Sequence, residues 1–156
     1  MSRYVACSGR MRGSMKTLDR TILCFDYGDV RTGVAIAHKG TTVAMPVETL
    51  ETENLFDEEF LKKYIEGRGA GLIVVGDPLS LSREITESTR KARAFAEMIR
   101  SITGVEVKMF DERLTTKQAM DGLKTRRGKK ISVRDIDASS AVIILQCYIQ
   151  SITKSY

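Results

Sequence analysis

The stretch TILCFDYGDVRTGVAIAH, Thr21–His38, decides how the chain begins to fold. It holds two apolar runs of strand length, TILCFD at Thr21–Asp26 and GVAIAH at Gly33–His38. The connection between them contains Gly28 and is too short for a crossover helix, so the two strands are expected to be antiparallel. The first run ends on a carboxylate, Asp26. A third strand is expected at Thr41–Val47, before or through Pro46, which extends the pair into a meander.

Downstream the period changes. Asn54 is placed to cap a helix running to about Glu66, with Phe56, Phe60, Tyr64, Leu61 and Ile65 on one face. Gly67, Gly69 and Gly71 end it. Leu72–Val75 (LIVV) is continuously apolar, as a buried parallel strand requires, and runs into the turn Gly76-Asp77-Pro78. A second helix is expected over Thr86–Thr103, with Ala92, Phe95, Ala96, Ile99 and Ile102 inward and Gly104 as its stop. Val105–Phe110 is a fifth strand, followed at once by Asp111-Glu112-Arg113. Thr115 or Thr116 caps a short third helix. A last helix, starting near Asp135, carries Ala141, Ile144, Leu145, Tyr148 and Ile149. This order predicts an α/β fold, one mixed sheet with helices packed on its faces.

Composition narrows the function. A chain of 156 residues holds one domain, here residues 21–156, behind a flexible basic tail at 1–20. With 42% hydrophobic and 29% charged residues the balance is that of a soluble globular protein, and no apolar run approaches a membrane span. The three cysteines have no CxxC spacing, and no secretory signal is visible, which points to the cytoplasm and away from zinc. His38 is the only histidine, so a hydrolase triad with an imidazole base has one residue to rest on. The tail sets Arg3, Arg10, Arg12, Lys16 and Arg20 against Asp19 alone, so most of the net charge of +5 lies there.

The acids are better placed than the histidine. Open α/β sheets build their sites beyond the C-terminal ends of parallel strands. Asp26 ends the first strand there, and Asp111 and Glu112 end the fifth. Carboxylates are the ligands Mg²⁺ and Mn²⁺ prefer, and a pair of such ions can hydrolyse a phosphodiester without histidine. The plainer alternative keeps Asp26 as a turn residue and Asp111-Glu112-Arg113 as a surface ion pair.

Four segments, DYGDVRTGVAIA at Asp26–Ala37, GDPLSLS at Gly76–Ser82, DERLT at Asp111–Thr115 and DASSAVIIL at Asp137–Leu145, occur in that order. Together they resemble the YqgF family, also called RuvX, within the ribonuclease H-like superfamily, over nearly all of residues 20–150. The resemblance implies a five-stranded ribonuclease H-like sheet ordered 3-2-1-4-5 and a divalent-metal nuclease using Mg²⁺ or Mn²⁺, two ions when substrate is bound. It implies Asp26, Glu112 and Asp137 as catalytic and metal-binding acids, with Asp111 and Asp135 as the nearest rivals. In place of the family's GLPxNxxG loop this chain has Asp77 after Gly76 and Arg83 after Ser82, which alters that loop but none of the three acids.

Such an enzyme acts on structured RNA or branched DNA. The resemblance offers two substrates, the 5′ end of precursor 16S ribosomal RNA and the four-way Holliday junction, and we favour the RNA. A nucleic-acid-binding module without catalysis is a second reading. A phosphotransferase of the actin and sugar-kinase type is a third, and it would need a second lobe. Lys124, Arg126, Arg127, Lys129, Lys130 and Arg134 form a run of cations with no acid among them, either a solvated loop or a phosphate contact. Arg31 in the hairpin and Arg113 beside its carboxylates join the first five as nucleic-acid-binding candidates. Monomer and homodimer are both compatible with the sequence.

Overall fold

Burial selects the two inner strands. In β1 (Thr21–Asp26) and β4 (Ala70–Asp77), every residue of Ile22–Phe25 and Leu72–Val75 is buried, whichever face it points to. The computed structural model describes residues 17–79, 82, 84–114 and 133–153, and of residues 133–137 and 139 the backbone alone. It sets β1 and β4 parallel and adjacent at the centre of one five-stranded sheet. β2 (Arg31–Ala37) and β3 (Met45–Glu51) continue antiparallel on one side, and β5 (Glu106–Asp111) lies parallel to β4 on the other. The order is β3-β2-β1-β4-β5, as the family resemblance implies.

Alternate residues of a strand face opposite sides, and each side has its own helical cover. Leu23, Phe25, Ile73 and Val75 pack with Leu61 and Ile65 of α1 (Glu58–Gly67) and with Phe95 and Ile99 of α2 (Glu87–Thr103). Ile22, Cys24, Leu72 and Val74 pack with Ala141, Leu145 and Ile149 of α3 (Val133–Thr153). α2 starts and stops where its sequence says. Thr86 and Thr89 exchange side-chain-to-backbone bonds at its N-terminus, and Gly104 ends it at φ +67°, a backbone conformation that glycine adopts without strain.

Three expectations need correction. The third strand is Met45–Glu51, not Thr41–Val47, because the backbone at 42–44 has another partner. The Gln146 amide of α3 accepts from Ala44 N–H and donates to the Thr42 carbonyl, both at 3.0 Å. The α1 helix does not begin at Asn54. Residues Thr52–Phe56 form a 3₁₀ turn, and Asp57 caps α1 by accepting from Phe60 N–H at 3.1 Å. That break leaves Leu61 and Ile65 buried, with Phe56 59% and Phe60 38% exposed rather than inward. Arg20, assigned to the tail, lies against the sheet, where it donates to the Gly71 carbonyl and pairs with Glu106 at 2.9 Å. Residues 1–16, and the helix expected after Thr115 or Thr116, lie outside the described residues.

Candidate active site at the C-terminal edge of the sheet

Asp26 is the last residue of β1. Its register partner on β2 is Gly33, and the preceding pair, Phe25 with Val75, sets it beside Gly76 of β4. Glu112 leaves β5 in a 3₁₀ turn (Glu112–Leu114), and its carboxylate reaches back over Gly76. A Cβ at position 76 would stand 2.5 Å from Glu112 Oε1 and 3.0 Å from Ile144 Cδ1. Glycine there is what admits the carboxylate between sheet and helix.

The electrostatics agree with that placement. The buried Cys24 thiol is pushed well up, first by burial and then by the negative charges of Asp26 and Glu112. Both acids are therefore close to the α3 side of β1. The Glu112 carboxyl is itself raised, by burial first, then by Asp77 and Asp111. Negative charge is therefore concentrated at this edge.

Asp111 and Asp77 are register partners on β5 and β4. Arg113 clamps Asp111, with its backbone N–H and its Nε each 2.9 Å from Oδ1 and Nη2 on Oδ2. Its guanidinium thus holds Asp111 rather than Glu112. Asp77 is buried, accepts from Arg93 Nη2 of α2 at 3.0 Å, and among the described residues its Oδ1 has no partner. The sequence reads Asp77 as part of a turn and as a departure from the family loop, and gives Arg93 no role. The missed signal is simple: Asp77 ends a parallel strand, as Asp26 and Asp111 do.

Asp137 is the fifth residue of α3, two helical turns before Ile144. Ile144 stands over Gly76 near the end of β4. Tyr148, one turn later, feels Glu106 at the start of β5 and Arg20 just before β1. The helix therefore runs from the acidic edge back across the sheet, and its backbone brings position 137 toward that edge; the side chain lies outside the described residues. So do Lys124, Arg126, Arg127, Lys129 and Lys130, and the side chain of Arg134. Arg31 opens β2 opposite Glu51 of β3, two residues before Gly33, the register partner of Asp26. Gly28 serves the hairpin, since a Cβ there would collide with the carbonyl oxygen of Arg31.

Among the described residues no three of His, Cys, Asp and Glu form a ready metal cluster. The two described carboxylates still fit a divalent cation. They are hard oxygen donors on one face, and burial and neighbouring acids raise the cost of charge on Glu112, which a cation would relieve.

The model of the RuvX family, described as Holliday junction resolvase, matches residues 20–151. A protein of Escherichia coli O157:H7 (strain EC4115 / EHEC) named "Putative pre-16S rRNA nuclease" is 35% identical over 132 residues, 83% of this chain and 96% of its own. The protein of the same name from Escherichia coli strain K12 / DH10B is 34% identical over the same shares. Among solved structures, Thermus thermophilus RuvC in complex with a Holliday junction substrate superposes with a TM-score of 0.62 at 13% identity, covering 87% of this chain and 97% of that one. A second Thermus thermophilus RuvC structure gives 0.57 at 15% identity, covering 86% and 97%. These structural likenesses establish the ribonuclease H-like fold.

Proposed function

Since the chain belongs to the RuvX family, we propose that it is a divalent-metal-dependent endonuclease on structured nucleic acid, and that it processes the 5′ end of pre-16S rRNA. The observation that carries this reading is that the Glu112 carboxylate lies over Gly76, beside which Asp26 ends β1, at the strand ends where such sheets build their sites. The names of the curated relatives favour the RNA substrate over the junction.

Asp26, Glu112 and Asp137 would hold Mg²⁺ or Mn²⁺. A metal held there would supply an activated water and charge stabilisation for the leaving oxygen of the phosphodiester. The chain's residues do the rest. Gly76 leaves room for the Glu112 carboxylate, and Ile144 closes the space beneath it. Arg113 keeps Asp111 turned away as an ion pair, so that Asp111 adds negative potential without competing for position. Glu112 must shed its proton before it can act as a ligand, and its raised pKa moves that requirement to higher pH. Lys124, Arg126, Arg127, Lys129 and Lys130 would bind substrate phosphates.

The test offers a 16S precursor 5′ leader and a four-way DNA junction to the purified protein, each with Mg²⁺ and with Mn²⁺. Cleavage of the leader is expected. Asp26→Asn, Glu112→Gln and Asp137→Asn should each lose it by orders of magnitude with folding intact, and Asp111→Asn should lose less. Cleavage of the junction alone would reassign the enzyme to recombination. Binding without cleavage under either metal would make it a non-catalytic module.

A further inference from the structure

Directly after Asp26 the chain changes sides. Asp26 lies toward Cys24 and Glu112 on the α3 side, whereas Tyr27 packs on the opposite side, its ring 5.0 Å from Phe95 of α2. Tyr27 and Phe95 form part of a cleft of about 480 Å³, completed by Phe56, Met98, Lys91 and Asp29. Adjacent Cα atoms are ~3.8 Å apart, so the cleft and the acids occupy two sides of one strand end.

The cleft is more than a gap in the core. Leu55 is fully buried and serves packing, while its neighbour Phe56 is 59% exposed and is spent on the cleft instead. The apolar walls are the rings of Tyr27, Phe56 and Phe95 with Ala94 and a flexible methionine. The polar side is Lys91 bonded to Asp29 at 3.1 Å, a donor and an acceptor held together. Aromatic faces stack on bases, a carboxylate accepts from an exocyclic amino group, and an ammonium donates to a carbonyl or phosphate oxygen. The volume is that of a small-molecule site, with room for a base and its sugar and too little for a helix or strand of a partner.

We propose that this cleft receives an unpaired nucleobase of the substrate, flanking the phosphodiester presented to Asp26 and Glu112. The proposal rests on the nuclease reading above and narrows it, to substrates single-stranded beside the cut. A base within a continuous duplex cannot enter the cleft without being unstacked, whereas a single-stranded leader offers one freely.

The experiment measures binding without cleavage, with Asp26→Asn as the parent and divalent metal chelated. A labelled single-stranded leader oligoribonucleotide and the fully paired duplex of the same sequence are titrated separately. Phe56→Ala should weaken the single strand by roughly 5- to 150-fold, the range for one stacked base, and leave the duplex unchanged. Phe56→Trp should restore binding, and an oligonucleotide abasic at one position near the cut should mimic Phe56→Ala and gain no further loss from it. Because Phe56 is largely exposed, the alanine variant is expected to fold, which circular dichroism checks. Parental affinity of Phe56→Ala for the single strand, or an equal loss on duplex and single strand, would overturn the proposal. Efficient cleavage by a chain with no Phe56 dependence would remove the cleft and keep the nuclease. Phe56-dependent binding by a chain that cleaves nothing would support the cleft and remove the nuclease.

Discussion

Gly76→Ala adds one methyl group in the space that the Glu112 carboxylate now uses. The new Cβ would meet Oε1 at 2.5 Å and Ile144 Cδ1 at 3.0 Å. Ordinary non-bonded contact begins near ~3.5 Å, so the carboxylate must retreat by about 1 Å. The fold should tolerate this. Overpacking costs roughly 1–3 kcal/mol, offset in part by the ~0.5–1 kcal/mol that alanine gains over glycine in a strand. Activity should not tolerate it, because a 1 Å misplacement in a catalytic site costs on the order of 100-fold, about 2.7 kcal/mol in the barrier. Urea denaturation and single-turnover cleavage of the leader RNA, run on the same preparation, separate the two effects. A folded Gly76→Ala variant that cleaves within threefold of the parent would refute the assignment of Glu112 to the reacting centre.

Further outcomes follow from other parts of the edge. Glu112 has a raised pKa, so its contribution to stability is fully present below the unfolded carboxylate value, ~4.3, and is lost as pH rises through the folded value. With divalent metal chelated, Glu112→Gln should therefore melt above the parent at pH 7, and the gap should close as the pH falls to 4. Arg93→Met strands the buried Asp77 carboxylate, which already has one unpartnered oxygen, and should cost about 2 kcal/mol in chemical denaturation; adding Asp77→Leu should return much of it. Replacing Arg126, Arg127, Lys129 and Lys130 with alanine should flatten the slope of log affinity against log salt by roughly two to four units, with little change in cleavage at saturating substrate. An unchanged slope would return that loop to solvent.

The central strands and α2 were legible because their signals are local. Ile22–Phe25 and Leu72–Val75 are apolar on both faces, and Thr86 and Gly104 mark helix ends by their own chemistry. β3 was not, because an edge strand needs no apolar run; it contains Glu48 and Glu51, while the apolar Ala44 before it is buried under Gln146 from the far end of the chain. Phe56 and Phe60 misled for a related reason, since one 3₁₀ turn before Asp57 breaks the helical phase. In the site, Asp26, Asp111 and Glu112 could be found by asking which acids end parallel strands. That Glu112 rather than Asp111 turns over Gly76, and that Arg93 meets Asp77, depends on the register between strands and helices far apart in sequence. The side chain of Asp137 and the cations Lys124, Arg126, Arg127, Lys129 and Lys130 lie outside the described residues, so the first assignment rests on the resemblance and the second on the charge pattern.

The helix that covers β1, β2 and β3 on one face of the sheet is also made late. α3 packs chiefly on β2, β3 and β1, and every strand precedes it in the chain. Ile22, Cys24 and Val74 can gain the cover of Ala141, Leu145 and Ile149 only after α3 has been synthesised. The antiparallel β1–β3 meander closes through short loops and can form early, whereas docking α3 closes a loop of about a hundred residues and comes last. Position 137 arrives with that step. A nascent chain thus carries Asp26 and Glu112 well before the third acid, and the active site proposed here is assembled only when the sheet receives its final cover.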